Sequence, residues 1–113
     1  MHELSLAMEV IDLASREARK NGVSVIREIL IEVGDFSGVE AEAFQWGLEI
    51  LKRDTILENA MINLIRTPGK GTCHSCNIEF EMKNRLDICP ECRCFPSKIS
   101  GGQEFRVVSI LAE

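Results

Sequence analysis

Apolar residues return at helical spacing near the start of the chain. From Leu4 onward, Ala7, Met8, Ile11, Ala14 and Ala18 recur every three or four positions, and Leu6, Val10 and Leu13 widen the stripe. Asn21 and Gly22 supply a stop. The stretch VIREILIEV changes the period: Ile29, Leu30, Ile31 and Val33 form a short, mostly β-branched run that favours a strand. GDFSG interrupts it. Ser37, followed three residues later by Glu40, reads as a capping box. Phe44, Trp46, Gly47, Leu48, Ile50 and Leu51 then make a second helix that ends near Lys52 and Arg53. AMINLIR predicts a second strand and EFRVVSIL a third.

Two glycine-rich punctuations frame what lies between those last strands. TPGKG marks a boundary, because Pro68, Gly69 and Gly71 are not expected to extend a sheet, and SGGQ marks an exit. The expected class is α/β: two helices on a three-stranded mixed sheet, with a cysteine-rich module inserted between two strands of that sheet. The α/β part is expected to own Trp46 and most of the aliphatic mass.

Length and charge narrow the partners. A chain of 113 residues, 45% hydrophobic with a net charge of -5, suits one compact domain with a small appendage and disfavours nucleic acid. Glu9 and Asp12 interrupt the first apolar stripe, so no secretory leader is expected, and no run approaches a membrane span. All five cysteines, Cys73, Cys76, Cys89, Cys92 and Cys94, crowd into one segment. That is metal usage and not a disulfide framework, and it points to the cytoplasm.

Cys73 and Cys76 are separated by two residues, as are Cys89 and Cys92, with twelve residues between the pairs. A two-residue gap turns both sulfurs of a pair toward one point, and two such knuckles supply four thiolates for a tetrahedral zinc. Between Gly71 and Lys98 the large apolar residues are Ile78, Phe80, Met82, Leu86, Ile88 and Phe95, too few to hold the segment without metal. Catalytic zinc, iron and a redox dithiol are the competing readings; four closed thiolates leave no open position for the first. Cys94 is either a spare thiol or an alternative ligand. His74, inside the first knuckle, is expected to be exposed and non-ligating. Residues 70–98 carry five basic and four acidic side chains, with Phe80 and Phe95 as the aromatics, which is no phosphate-tracking surface.

The chain opens MHE. A terminal amine, the amide nitrogen of His2 and its imidazole reach one ion through two chelate rings, and Glu3 adds a carboxylate. Nitrogen-rich sites of this kind suit Ni(II) and Cu(II). The plainer accounts are a solvated terminal histidine and an acid favouring the positive end of a helix dipole.

MHE at the start, CHSC and CPEC at this separation, IEVGDFSGVEAEAF, and SGGQEFRVVSIL at the end together resemble the HypA/HybF family of hydrogenase nickel-incorporation proteins. The resemblance covers essentially the whole chain. It implies a nickel metallochaperone, not an enzyme, with an α/β nickel-binding domain (1–69 and 99–113) that uses His2. It also implies a zinc-binding domain (70–98), and delivery of Ni(II) to the [NiFe]-hydrogenase large subunit with the GTPase HypB. Glu40 is a further nickel-ligand candidate, set against its capping role. One departure is visible: Arg93 and Cys94 stand where the family often has Gly-Ser. The sequence also contains no nucleophile–base pair or phosphate-binding glycine loop. The rivals are a zinc-ribbon adaptor that binds protein or nucleic acid without exchangeable metal, and a thiol redox enzyme using Cys92 or Cys94. The glycines of TPGKG and SGGQ suit either a monomer or a domain-swapped dimer.

Overall fold

A computed structural model describes residues 2–113. The elements are α1 (His2–Lys20), β1 (Ile26–Gly34), α2 (Ala41–Leu51), β2 (Met61–Thr67), β3 (Gly69–Cys73), β4 (Ile78–Met82), β5 (Lys98–Gly101) and β6 (Phe105–Ala112). They form two three-stranded sheets, ordered β2-β1-β6 and β4-β3-β5. Strands β2 and β6 flank β1, so the cysteine-bearing sheet is inserted between two strands of the other one, as the sequence predicts. The chain divides into two compact units. One comprises residues 2–32, Val39–Ile65 and Arg106–Glu113; the other comprises Val33–Gly38 and Arg66–Phe105.

In the first unit, α1 buries Ala7, Val10, Ile11, Ala14 and Ala18. At 100° per residue these positions share one face, while Met8 falls outside it and is 55% exposed, contrary to its place in the expected stripe. Leu13 is exposed for the same reason. The stop at Gly22 is as expected. Its φ of 69° is left-handed, and the N–H groups of Gly22 and Val23 donate to the carbonyls of Arg19 (3.2 Å) and Ala18 (2.8 Å), a Schellman closure. Helix α2 packs beside α1 at a small residue: a Cβ on Gly47 would lie 3.1 Å from Leu4 Cδ2 and 3.5 Å from Ala7 Cβ.

Two features of α2 differ from expectation. The N-cap is Glu40 and not Ser37: the Glu40 carboxylate accepts from its own helix, at the Ala43 N–H (2.8 Å), and the Ser37 N–H donates to the Gly34 carbonyl. The helix therefore starts three residues later than a Ser37 cap requires. Trp46 is not core. Ala41, Phe44, Gly47 and Leu48 define the inward face, and Trp46 lies opposite, 70% exposed. The unit's core is instead Phe44 and Leu48 with Ile26, Ile29 and Ile31 of β1 and Leu57, a turn residue that no periodic pattern marked. Strand β1 is central in its sheet, and from Ile29 its burial alternates: Ile29, Ile31 and Val33 are buried, with Leu30 and Glu32 half-buried between them.

In the second unit, β3 pairs antiparallel with β4 from Gly69↔Met82 to Cys73↔Ile78 and, with a bulge at Lys70/Gly71, with β5. The boundary glycines thus do extend a sheet. Each sits where a side chain would collide: a Cβ on Gly69 would overlap the Phe36 ring, and one on Gly71 would lie 2.6 Å from Met82 Sδ. Glycine here admits close packing and does not break the strand. Arg85 clamps Phe36, its guanidinium 5.0 Å above the ring and donating to the Phe36 carbonyl at 2.9 Å.

Candidate metal centres

Strand β3 ends on Cys73, and the turn that follows brings Cys76 back toward it before β4 begins. Asn77, the residue after Cys76, has φ 56°; Arg93, the residue after Cys92, has φ 63°. Each knuckle thus closes through one left-handed residue just past its second cysteine. Two backbone hydrogen bonds tie the second knuckle: the Arg93 N–H donates to the Cys89 carbonyl (2.8 Å) and the Cys89 N–H to the Cys94 carbonyl (2.9 Å). The turn therefore forms with Arg93 and Cys94 in place of Gly-Ser, arginine taking a conformation that glycine favours.

The two knuckles deliver four sulfurs to one point. Cys73 Sγ lies 3.6 Å from Cys92 Sγ, Cys89 Sγ lies 4.0 Å from Cys76 Sγ, and all four sulfurs fall within 4.8 Å of one another. A tetrahedral ion with bonds of roughly 2.3 Å spaces its sulfurs roughly 3.8 Å apart, so this donor set fits zinc. Cys73 and Cys89 are buried, Cys76 and Cys92 half-buried. Backbone hydrogen bonds at Cys92 and Glu91 lower the Cys89 thiol to about 7, which favours thiolate there. Hydrogen bonding with the Cys92 thiol, and then burial, pushes Cys76 up to about 12. Four thiols this close cannot all ionise until a cation replaces their protons.

Cys94 lies outside this group. It is exposed, with its Sγ 3.8 Å from the Cys92 carbonyl oxygen, and its part in the knuckle is played by its backbone carbonyl. His74 is exposed and likewise outside the group; its N–H donates to Ser97 Oγ at 3.1 Å.

At the other candidate site, His2 is exposed as the first residue of α1. The terminal amine of Met1 lies outside the described residues. The Glu3 carboxylate accepts from the Glu40 N–H at 3.0 Å, which ties the first turn of α1 to the cap of α2. That bond holds Glu3 below the usual carboxylate range, with its own backbone N–H and the neighbouring His2 acting in the same direction. The two acidic candidates are thus brought together, each on a backbone N–H: Glu3 on Glu40 and Glu40 on Ala43. Among the described residues, the four cysteines are the one group of three or more His, Cys, Asp or Glu side chains close enough to share an ion.

A family model described as hydrogenase/urease nickel incorporation, metallochaperone, matches residues 1–112. The chain belongs to the HypA family. Hydrogenase maturation factor HypA of Geobacter metallireducens is 34% identical over 113 residues, covering 100% of both chains. The protein of that name from Parabacteroides distasonis is 36% identical over 111 residues, covering 98% of this chain and 96% of its own. The solution structure of the Ni metallochaperone HypA from Helicobacter pylori superposes with a TM-score of 0.65 at 20% identity, covering 97% of this chain and 96% of that one. A second solution structure, of a HypA protein, gives 0.69 at 24% identity with 100% and 97% coverage. These likenesses establish a shared fold. As a HypA-family chain, the protein is a nickel-incorporation metallochaperone of hydrogenase maturation and carries a four-cysteine metal site. Among the described residues no helix is long and apolar enough to cross a membrane.

Proposed function

We propose that this chain carries Ni(II) at its N-terminus and releases it for [NiFe]-hydrogenase maturation, while zinc on Cys73, Cys76, Cys89 and Cys92 keeps the cysteine module folded. The family match over residues 1–112 carries this reading, because it takes in the His2 segment and both knuckles together. Residues 1–69 and 99–113 serve as the nickel-binding domain and 70–98 as the zinc-binding domain. Zinc supplies only structural cross-linking, since four thiolates leave it no open position. Nickel is the cargo. His2 offers an exposed imidazole, the terminal amine and the intervening amide complete the chelate, and Glu3, oriented by the Glu40 N–H, presents its carboxylate alongside. The acceptor is the hydrogenase large subunit, nucleotide dependence comes from the GTPase HypB, and the setting is the cytoplasm, where thiols stay reduced.

The test is calorimetric titration of Ni(II) into the zinc-loaded, untagged chain. His2→Ala abolishes specific nickel binding while zinc content and helix signal stay constant. A peptide added ahead of the first residue weakens binding, because it turns the amine into an amide. Glu3→Gln separates carboxylate ligation from hydrogen bonding, since the amide oxygen still accepts from Glu40. Nickel displaces protons from its donors, so binding releases protons and weakens as the pH is lowered. Unchanged affinity in both the His2→Ala and the tagged chain rejects the terminal chelate. No saturable nickel uptake at all returns the chain to a zinc-ribbon adaptor.

A further inference from the structure

The inward side of α2 is complete without Trp46: Ala41, Phe44, Gly47 and Leu48 fill it. The outward side carries Trp46 at 70% exposure and Ile50 at 39%. Glu42 stands four residues before Trp46 and Glu49 three after, so both flank the indole on one helix face. With Glu40, Ala43 and Gln45 they line a shallow groove of about 630 Å³.

Every ionisable group on that groove is acidic. Glu40 spends its carboxylate on the Ala43 N–H, and Glu49 meets Lys52 at 2.8 Å. Lys52 is turned inward, 16% exposed and also donating to the Ala60 carbonyl, so it does not reach across the indole. Among the described residues Glu42 has no ionic partner. An indole face is electron-rich, and two carboxylates beside it add to the same field. Together they attract a cation and repel phosphate. Trp46, Ile50 and Ala43 meanwhile offer apolar area on which the aliphatic stem of a long basic side chain can lie.

We propose that the outer face of α2, centred on Trp46, docks an arginine-bearing segment of a partner protein. The guanidinium stacks on the indole and pairs with Glu42 and Glu49. Arginine is favoured over lysine because its flat fork stacks and pairs at the same time. Exposed tryptophan is also the residue type that most often anchors an interface. The proposal does not depend on where nickel binds.

Trp46 is the sole tryptophan and the chain has no tyrosine, so indole emission reports on this face alone. The zinc-loaded full chain is titrated with a blocked alanine–leucine helix carrying two arginines one turn apart. The expected result is a saturable change in emission. Affinity falls about tenfold in a Glu42→Gln/Glu49→Gln double variant and stays within about twofold in Glu9→Gln/Asp12→Asn, which removes the same charge from α1. Trp46→Leu, followed by calorimetry, costs at least about tenfold with helix content unchanged. A peptide with glutamate in place of arginine does not bind. Absence of a saturable emission change overturns the proposal. So does equal weakening by the two charge-matched pairs, which signifies general attraction to an acidic protein. Trp46-dependent self-association in sedimentation would make the occupant a second copy, and overturns it too.

Discussion

Arg93 shows how a single backbone angle carries a metal site. Both knuckles need a left-handed residue directly after the second cysteine, and the chain places Asn77 in one and Arg93 in the other. Asparagine tolerates that region, whereas a long side chain carries a cost of about 1 kcal/mol or somewhat more. The four closing sulfurs and the two backbone hydrogen bonds of the second knuckle hold Arg93 in place against that cost. Arg93→Gly therefore tightens zinc binding, measured by competition with a chromophoric chelator. Relief of the left-handed strain is partly offset by glycine's greater freedom in the unfolded chain, so the expected gain is about 0.5–1 kcal/mol, roughly two- to fivefold. Weaker zinc binding in that variant would show that the arginine side chain itself supports the knuckle. The spacing of the cysteines announced the site in full, because two-residue gaps have a fixed geometric meaning. The left-handed closures were not legible, because neither asparagine nor arginine is bound to that conformation.

At the level of elements, the periodic patterns located both helices and the three strands of the first sheet, since a one-sided apolar stripe is a direct consequence of one-sided burial. Faces were read less well than elements. Met8 belongs to the apolar run of α1 yet lies outside the arc set by Ala7, Ile11, Ala14 and Ala18, and Trp46 sits opposite Phe44 and Leu48. In each case apolarity was visible and its use was not. Leu57 was missed because it is fully buried from a turn, where no period applies. The glycines of TPGKG look like strand breakers in the sequence because composition does not reveal which partner ring fills the space a side chain would take. Phe36 fills it at Gly69, and Phe36 is held in turn by Arg85. Gly69→Ala is therefore expected to destabilise the cysteine-bearing unit by about 1–3 kcal/mol, through overlap of the new methyl with the Phe36 ring. Phe36→Ala alone costs about 3 kcal/mol or more. Combined, the two are expected to cost clearly less than their sum, because Phe36→Ala removes the ring that the new methyl meets and the methyl fills part of the space the ring leaves. Denaturant unfolding of the four zinc-loaded proteins measures the coupling; strict additivity would mean that Phe36 does not pack on Gly69.

Across the whole molecule, the two units draw stability from different sources. The first has a continuous apolar core in Phe44, Leu48, Leu57 and the β1 isoleucines. The stretch from Gly71 to Lys98 has little of that kind: Met82 is its one fully buried large side chain, Cys73 and Cys89 are buried within the four-sulfur cluster, and Leu86, Ile88 and Phe95 are exposed. Metal must make up the difference, and zinc on four thiolates contributes about 10–16 kcal/mol in small zinc peptides near neutral pH. Cys73→Ala is therefore expected to lose zinc and to unfold the module while the helices persist. Cys94→Ser keeps full zinc, because its contribution to the knuckle is a carbonyl that serine also has. Hydrogen exchange distinguishes the outcomes. In Cys73→Ala, amides of β3, β4 and β5 lose protection, and those of α1, α2 and β1 through Glu32 keep it. Chelation of zinc from the unmodified chain gives the same pattern, and zinc restores it. Uniform loss of protection along the chain would mean that the apolar core of the first unit does not stand without the metal. Retention throughout would mean that hydrophobic packing, and not the four-sulfur cluster, holds the ribbon together.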